Sequence, residues 1–282
     1  MISVLNLGAC DYATALRLQE TLVELRKQQR VGNVLLFVEH PPVITLGRNA
    51  RESNIVASPE LLAQRGVEVH EINRGGDVTF HGPGQLVAYP IFDLRSFEPK
   101  LGVIEYVRRL EEVLMRICAQ YAIETQRIAG MTGVWTFASV PPRLNGRTMG
   151  RDYVPAGDIV AEPQEKWSER KVAAIGVHVS RGVTSHGFAL NVTTDLSCFH
   201  LIVPCGLTKP VTSIEFESGH RPSLDEVMTI ASRTFGELFR SQMLWLESIH
   251  DLIPEEAAAP GDTPARAPEN ERRIAGDDDH FA

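Results

Sequence analysis

The sequence predicts an α+β fold in which mixed sheets are flanked by helices. Short apolar or alternating segments typical of strands occur throughout residues 1–203. Two longer segments, 102–121 and 222–241, carry apolar residues at helical spacing. Strand and helix segments do not alternate strictly along the chain, as they would in a doubly wound parallel sheet. These three observations favour α+β over α/β.

The first hundred residues show clear element boundaries. The segment "ISVLNLG" predicts a strand, and residues 11–30 predict a helix that Asp11 can cap. The apolar run "NVLLFVEH" predicts a buried strand that Pro41 and Pro42 end, because proline has no N–H for a strand ladder. A helix is expected to start at Ser58, since proline follows at the first helical position. Further strands are expected at "VITLGR", at 67–73 and at "QLVAYPIFDL".

The second part of the chain begins with the clearest helix, at 102–121. Its predicted apolar face consists of Ile104, Val107, Leu110, Leu114, Ile117 and Tyr121. "TGVWTF" predicts a strand, whereas segment 139–169 is expected to be irregular or to form a hairpin flap. "KVAAIGVHVS", "GVTSHG" and "FALNVT" predict three strands in a meander, and the segment at 222–241 predicts a closing helix.

The composition is that of one globular domain with an acidic tail. The chain has 282 residues, of which 43% are hydrophobic and 23% charged, enough to bury a core. We assign residues 1–253 to a single domain. Residues 254–282 are dominated by Pro, Ala, Glu and Asp and are expected to be disordered. Eight acids and three bases give this tail −5 of the net charge of −8, so the body is near −3. A mildly acidic body argues against binding to nucleic acid.

Localisation signals and cysteine usage point to the cytoplasm. No apolar run approaches 18 residues, and the N-terminus lacks a basic region followed by an apolar core. The four cysteines (Cys10, Cys118, Cys198 and Cys205) form no CxxC pair and no dense framework, which is typical of reduced thiols. We therefore expect a cytoplasmic protein with no membrane partner.

The stretch "RGGDVTFHGPGQLVAYP" places four glycines, one arginine and one histidine directly before a strand. It lacks the GK[ST] of a P-loop, and its glycines do not open a helix as in a dinucleotide-binding fold. Such glycine density lets the backbone take positive φ or approach another group closely. On its own the stretch leaves two interpretations open: the wall of a ligand site, or a tight hairpin without a ligand.

Several side chains are candidates for chemistry. Cys205 stands in a Pro-Cys-Gly setting at the end of an apolar strand, whereas Cys118 lies on the apolar side of a helix and is expected in the core. A lone cysteine is more often a core residue than a nucleophile, and a lysine such as Lys171 at the head of a buried strand usually reaches solvent. His81 and His186 each precede a glycine and either line one cavity or form structural hydrogen bonds. Their spacing matches no zinc pattern, so no metal is predicted.

Together these features resemble the lipoyl(octanoyl) transferase family. The resemblance rests on "RGGDVTFHGPGQLVAYPI", "TGVW", "KVAAIGV", "SHGFALNV" and "IVPCGL", in this order, and covers roughly residues 1–245. It implies a fold similar to the catalytic domains of biotin- and lipoate-protein ligases, and a catalytic dyad of Cys205 and Lys171. Segment 139–169 looks like an insertion relative to the family. The implied substrate-binding residues are Arg74, Gly75, Gly76, Asp77, Val78, Thr79, Phe80, His81, Ala174, Ile175, Gly176, Gly187, Phe188 and Ala189.

The resemblance also implies a reaction and its partners. An octanoyl group would pass from acyl carrier protein to the lysine ε-amine of lipoyl domains through a thioester on Cys205, as the first step of protein lipoylation from endogenous octanoyl groups. Expected acceptors are the lipoyl domains of 2-oxoacid dehydrogenase complexes and the glycine cleavage H protein. A thioester donor is already activated, so no cofactor is expected, and we expect a monomer.

Two alternatives stay open on the sequence. The first is an ATP-dependent lipoate- or biotin-protein ligase, against which the Pro-Cys-Gly motif argues because adenylation needs no cysteine. The second is a non-catalytic acyl-binding protein on the same fold. The presence of both Cys205 and Lys171 argues against it.

Overall fold

The computed structural model of the chain describes residues 1–137, 143–144, 147–148, 169–203 and 209–252. Within these ranges a mixed eight-stranded sheet, a three-stranded sheet, a short hairpin and five α-helices confirm the predicted α+β class. Most of the 139–169 segment, including the greater part of its predicted flap, and the whole tail at 254–282 lie outside the described residues. Of that segment, Arg143–Leu144 and Arg147–Thr148 pair as an antiparallel hairpin.

The elements follow one another without strict alternation. The strands are β1 (Ile2–Ala9), β2 (Asn33–Glu39), β3 (Val43–Leu46), β4 (Glu68–Glu71), β5 (Val78–His81), β6 (Gln85–Ile91), β7 (Thr125–Ile128), β8 (Met131–Phe137), β9 (Arg143–Leu144), β10 (Arg147–Thr148), β11 (Glu169–Ser180), β12 (Val183–Asn191) and β13 (Met243–Trp245). The α-helices are α1 (Tyr12–Lys27), α2 (Pro59–Gln64), α3 (Val103–Ala119), α4 (Ile214–Ser218) and α5 (Leu224–Phe239). Short 3-10 helices lie at Glu52–Asn54, Leu94–Ser96, Leu196–Leu201 and Ile249–Asp251.

The large sheet has the strand order β13-β1-β2-β6-β12-β11-β8-β7. Strand β1 is parallel to both of its neighbours, and the other pairings are antiparallel. The small sheet has the order β4-β3-β5. Its strand β5 lies within the glycine-rich stretch, where no strand is predicted from the sequence. The reason is its length, since four residues between glycines carry too little periodicity to be recognised.

Helix starts agree with the predicted caps. The side chain of Asp11 accepts a hydrogen bond from the N–H of Thr14 at 2.8 Å, and that of Ser58 accepts one from Leu61 at 3.3 Å. Ser223 caps α5 in the same way. Each cap satisfies a backbone donor that the first turn of a helix leaves without a partner.

Two apolar cores lie on opposite faces of the large sheet, one under α3 and α5 and the other under α1. Cys118 is completely buried in the first, as predicted. The predicted place of Ile104 on the apolar face of α3 is wrong, because its side chain is 80% exposed. At 3.6 residues per turn, Ile104 lies about 120° around the helix from Leu110, which is buried. None of the helices in the described ranges combines the length and apolar character that crossing a bilayer requires.

The predicted three-strand meander is two strands. "GVTSHG" and "FALN" form the single strand β12, which pairs with β11 without interruption from Ala173–Leu190 to Ser180–Val183. His186 has a φ of +55°, and the register nevertheless continues through it. His186, which lies near the predicted boundary between two strands, is therefore a strained position inside one strand.

Candidate active site

Lys171 lies near the start of β11, where this strand forms a bulge against β8. Lys171 pairs with Trp135 and Ala173 pairs with Val134, so β11 contains one extra residue at this point. The lysine Nζ lies 4.6 Å from the centroid of the Trp135 ring, which is a cation–π contact. The bulge aims the lysine side chain, and the indole holds it.

Gly133 permits the close approach of β8 and β11 beside this lysine. Its φ is +122°, a backbone conformation that residues other than glycine rarely adopt. A Cβ at this position would lie 2.6 Å from the carbonyl oxygen of Ala173. Steric exclusion of a side chain therefore explains why a glycine occupies this position of the "TGVW" motif.

Cys205, the predicted nucleophile, lies outside the described residues, which stop at Val203 and resume at Lys209. The resumed chain runs beside the predicted lysine. The N–H of Thr212 donates to the carbonyl oxygen of Lys171 at 2.9 Å, and a parallel bridge joins the two segments. The strand that carries the lysine is thus tied to the chain that follows the Pro-Cys-Gly motif.

A second lysine approaches the same indole. Lys209 forms an ion pair with Glu169, and its Nζ lies 5.8 Å from the centroid of the Trp135 ring. Trp135 is therefore contacted by two ammonium groups, one from β11 and one from the segment after the cysteine. Neither Trp135 nor Lys209 is among the site residues predicted from the sequence.

The predicted pocket residues of β11 and β12 lie directly opposite one another, as the pairs Ala174–Ala189, Ile175–Phe188 and Gly176–Gly187. A Cβ on Gly187 would lie 2.1 Å from the carbonyl oxygen of Ala88, and one on Gly176 would lie 2.9 Å from Arg74 Cδ. The absence of a side chain at these two glycines therefore allows β6 and the Arg74 side chain to approach the strands closely. Residues 174–176 stay half-buried although β11 lies inside the sheet.

Arg74 joins the glycine-rich loop to both sheets. Its guanidinium is buried and donates through Nη2 to the carbonyl oxygen and the hydroxyl of Thr45, at 2.8 and 3.0 Å. The N–H of the next residue, Gly75, donates to the carbonyl oxygen of Val177 on β11 at 3.0 Å. The structure thus brings the predicted loop and the predicted strands together.

The residues that follow Arg74 in the predicted segment lie on the small-sheet side. Asp77 accepts a hydrogen bond from Asn54 Nδ2 at 2.6 Å. Val78 and Phe80 are buried in a third apolar cluster, and Thr79 lies opposite Thr45 in the ladder with β3. These contacts anchor the loop, and the role of its residues in substrate binding stays a prediction.

A buried amide relay leads from His81 to the chain beside the lysine. Gln85 donates through Nε2 to Asn191 Oδ1 at 2.8 Å and to the carbonyl oxygen of Phe80 at 3.3 Å. Its Oε1 therefore accepts from His81 Nδ1 at 2.7 Å, which assigns the ring proton to Nδ1. Asn191 Nδ2 donates in turn to the carbonyl oxygen of Thr212 at 2.9 Å.

Two aromatic rings contact the ring of His81, that of Tyr12 on α1 and that of His40 just after β2. The ring centroid of Tyr12 lies 5.2 Å from that of His40 and 6.1 Å from that of His81. His40 Nδ1 donates to the carbonyl oxygen of Cys10, and its Nε2 accepts from the hydroxyl of Tyr89, both at 2.7 Å. Burial lowers the pKa of His40 to about 4 and that of His81 to about 3. Both rings are therefore neutral near pH 7.

His186 fixes the start of the glycine-rich loop. Its Nε2 lies 2.7 Å from Asn73 Oδ1, and its backbone N–H donates to Gln19 Oε1 at 2.9 Å. Burial is the main cause that lowers the pKa of His186 to about 3. Its Nδ1 is buried and has no hydrogen-bond partner among the described residues. Of the two interpretations of this histidine, a structural hydrogen bond is the one observed.

Several residues of this region were missed at the sequence level. Gln85, Trp135 and Asn191 stand in motifs that were quoted, so their positions were visible and only their contacts were not. Tyr12 and His40 carried no signal, because the fold alone brings the start of α1 and the end of β2 next to β5.

A groove of about 610 Å³ lies elsewhere, between α3 and α5, and contains none of the predicted site residues. Its walls are charged. Arg109 pairs with Glu105 and Arg116 with Glu112, both at 3.1 Å. These ion pairs lie on the surface of α3, and none of their residues belongs to the predicted site.

Comparison with known proteins identifies the family of the chain. Residues 11–236 match the family model of the lipoyl protein ligase A/B catalytic domain. An octanoyltransferase from Koribacter versatilis (strain Ellin345) is 58% identical over 282 residues, which cover the full length of both chains. The resemblance inferred from the motifs is therefore confirmed.

Two solved structures share the fold. Lipoate-protein ligase A bound with ATP superposes with a TM-score of 0.58 at 14% identity, covering 91% of each chain. The bipartite lipoate protein ligase of Thermoplasma acidophilum, described with its E2 lipoyl domain, gives a TM-score of 0.57 at 14% identity, covering 86% of each chain. At 14% identity these two likenesses show the fold alone. The family is shown by the match to the family model and by the relative that is 58% identical over its full length. The chain therefore belongs to the lipoyl protein ligase A/B catalytic domain family and, within it, to the octanoyltransferases.

Proposed function

We propose that the enzyme takes its octanoyl group from acyl carrier protein and delivers it to a lysine of a lipoyl domain, through a thioester on Cys205 assisted by Lys171. The observation that carries this proposal is the position of Lys171. Its ammonium rests on Trp135, and its backbone pairs with the chain that follows the Pro-Cys-Gly motif. A thiol close to this ammonium would complete the pair that an acyl-enzyme mechanism uses.

The reaction has two balanced halves. The Cys205 thiolate attacks the donor thioester carbonyl, and the carrier thiol leaves with a proton. The acceptor amine then attacks the new thioester, loses a proton and displaces the cysteine as a thiolate. A free thiol of pKa about 8.5 is only about 3% ionised at pH 7, so a nearby ammonium increases the reactive fraction. Lys171 is also the group that can move the proton in each half.

The other cysteines support the choice of Cys205. Burial raises the pKa of the Cys118 thiol to about 12. Burial also raises the pKa of Cys10 and of Cys198, and the neighbouring Asp11 and Asp195 add to the effect. Each of the three described cysteines is therefore a poorer nucleophile than an unperturbed thiol.

The octanoyl chain is proposed to lie along residues 174–176 of β11, next to residues 187–189 of β12. Residues 174–176 are half-buried in the middle of the large sheet, so an apolar chain laid on them would gain burial. The gain is at most about 0.8 kcal/mol per buried CH₂. Arg74 and His81 would close this slot from the glycine-rich loop.

Intact-mass spectrometry after incubation with octanoyl-carrier protein tests the acyl-enzyme. The wild type should gain one octanoyl group, which hydroxylamine removes, and Cys205→Ala should gain none. Cys198→Ala, which removes a partly exposed thiol at a different position, is the control and should be acylated like the wild type. An adduct on Cys10, Cys118 or Cys198 of the wild type would overturn the assignment.

Variants of Lys171 separate its two proposed roles. In Lys171→Met the thiol pKa should rise, so alkylation by iodoacetamide near pH 7 should slow, and transfer should fall further, by about 10²–10⁴-fold. Lys171→Arg keeps the charge and should restore part of the alkylation rate. It should not restore transfer, since a guanidinium does not release its proton near neutral pH. Wild-type transfer by the arginine variant would rule out proton transfer by this residue.

The acceptors are proposed to be the lipoyl domains of 2-oxoacid dehydrogenases and the glycine cleavage H protein, in the cytoplasm, with the enzyme acting as a monomer. One structural neighbour is described with its E2 lipoyl domain, which supports an acceptor of this class. Transfer to an isolated apo-lipoyl domain without ATP or Mg²⁺ is the direct test. A requirement for ATP would favour the ligase alternative, and a domain whose acceptor lysine is replaced by arginine is the control.

A further inference from the structure

Glu217 is a nearly buried carboxylate on α4 that binds three segments around Lys171. Its side chain is 9% exposed. Its Oε1 accepts hydrogen bonds from the hydroxyls of Thr136 and Thr212, at 3.2 and 2.5 Å, and from Arg170 Nε at 2.8 Å. Its Oε2 accepts from Arg170 Nη2 at 2.9 Å. One carboxylate thus joins β8, β11 and the chain after the Pro-Cys-Gly motif.

Each donor to this carboxylate stands next to a contact of the lysine. Thr136 follows Trp135, whose indole lies beneath the Lys171 ammonium. Arg170 immediately precedes Lys171 on β11. Thr212 donates its backbone N–H to the carbonyl oxygen of Lys171 at 2.9 Å. The carboxylate therefore links the residue next to the indole, the residue next to the lysine and the backbone partner of the lysine.

The helix that carries Glu217 is itself fixed. The hydroxyl of Ser213 caps its first turn by accepting from the N–H of Phe216 at 3.1 Å, and Gly219 ends it in the left-handed conformation at a φ of +69°. The N–H of Glu215 donates to the carbonyl oxygen of Val192 at 2.9 Å. The carboxylate is therefore presented from a rigid support.

Stability alone gives little reason for this arrangement. The partner Arg170 is only 12% exposed, and burying both charges costs much of what their attraction returns. A buried polar network of this kind specifies geometry more than it adds stability. We propose that Glu217 is a positioning residue for acyl transfer, holding Lys171 over Trp135 and beside the segment that follows the Pro-Cys-Gly motif. This inference rests on the proposed function of Lys171.

The test compares Glu217→Gln with Glu215→Gln. Glu215 lies on the same helix and forms an ion pair with Arg221 at 3.1 Å, near the surface. Glu215→Gln therefore removes one carboxylate charge from the same helix without touching a contact of Lys171. The first readout is the NMR shift of the Lys171 ε-protons, which the Trp135 ring current displaces and which Lys171→Arg assigns. The others are kcat and KM for octanoyl-carrier protein, and the pH dependence of Cys205 alkylation.

In Glu217→Gln the ring-current shift should collapse towards the value of a solvated lysine, and kcat should fall about 10- to 100-fold with KM within about twofold, since small misplacements of a reacting group cost this much. Glu215→Gln should match the wild type in all readouts. An unchanged ε-proton shift in folded Glu217→Gln would overturn the proposal, whatever happens to kcat. The shift could change in Glu217→Gln while Cys205 alkylation stays at the wild-type rate in both Glu217→Gln and Lys171→Met. That result would support positioning by Glu217 and would contradict the proposed cysteine–lysine dyad.

If Glu217→Gln fails to fold, Thr212→Val provides the same test. Valine keeps the shape of the side chain and the backbone N–H to Lys171, and removes only the hydroxyl donor to Glu217. The ε-proton shift should move in the same direction, and kcat should fall by a smaller factor. A wild-type shift and wild-type kcat in this variant would overturn the proposal.

Discussion

Trp135 and Lys171 form a cation–π pair across neighbouring strands, with the lysine Nζ 4.6 Å from the indole centroid. Trp135 is 1% exposed, so the ring is a fixed surface within the sheet. An interaction of this kind is worth about 0.5–2 kcal/mol and favours the charged amine. The pair therefore orients the lysine side chain over a fixed aromatic surface.

Replacing Trp135 by an aliphatic residue should lower the transfer rate more than replacing it by a smaller aromatic residue. In Trp135→Leu the ammonium loses its aromatic surface, whereas Trp135→Phe keeps a weaker one. We expect kcat to decrease in the order wild type, phenylalanine, leucine, with both variants losing stability because a fully buried side chain is truncated. Steady-state kinetics at temperatures well below each Tm provide the measurement. Equal rates for the two variants would show that the ring acts only as core.

The glycine pair between β11 and β12 should tolerate no side chain on β12. A Cβ in Gly187→Ala would lie 2.1 Å from the Ala88 carbonyl oxygen, so the backbone of β6 or β12 must move. We expect a loss of about 1–3 kcal/mol in the free energy of unfolding, measured by urea denaturation. Gly32→Ala is the control, since nothing lies within 4 Å of its Cβ, and it should change stability by less than about 0.5 kcal/mol.

The amide relay should behave as one unit. Asn191→Leu leaves Gln85 Nε2 and the Thr212 carbonyl oxygen without this partner in a buried place, which costs about 1–3 kcal/mol for each group that stays unsatisfied. Gln85→Leu should also destabilise the enzyme, and the double variant should lose less than the sum of the two. Urea denaturation of the four proteins measures the coupling. Strict additivity would mean that the two amides act independently.

Buried histidines should make stability fall on mild acidification. The folded-state pKa values of His40, His81 and His186 are lowered to about 4, 3 and 3, mainly by burial. Their value in the unfolded chain is about 6.5, so the unfolded chain takes up protons first as the pH falls. Stability from these groups is complete above pH 6.5 and is lost progressively towards the folded-state values.

The slope of this dependence can be assigned by replacement. In His40→Gln, the increase of unfolding free energy between pH 5 and 6 should be smaller than in the wild type by about 1 kcal/mol per pH unit. The exposed His250, replaced in the same way, is the control. An unchanged slope in His40→Gln would show that His40 is charged in the folded protein.

The sequence by itself determined the fold class, the helix caps at Asp11 and Ser58, and the motifs that identify the family. Caps and turns are local, because a side chain that satisfies its own helix end needs no distant partner. Motifs with a specific order of glycines, histidine and cysteine are likewise readable along one chain. The prediction of Lys171 came from the resemblance to a family and not from its residue type.

The tertiary structure decided what these residues contact. β13 joins the sheet beside β1 across more than 230 residues of sequence, and β7 is too short and mixed to be recognised. The apolar face of α3 was misplaced at Ile104 because periodicity does not say where the covering sheet ends. The indole beneath Lys171, the amide relay and the Glu217 hydrogen bonds join residues distant in sequence. Such contacts depend on register and on the bulge in β11, which only the packing of complete strands can specify.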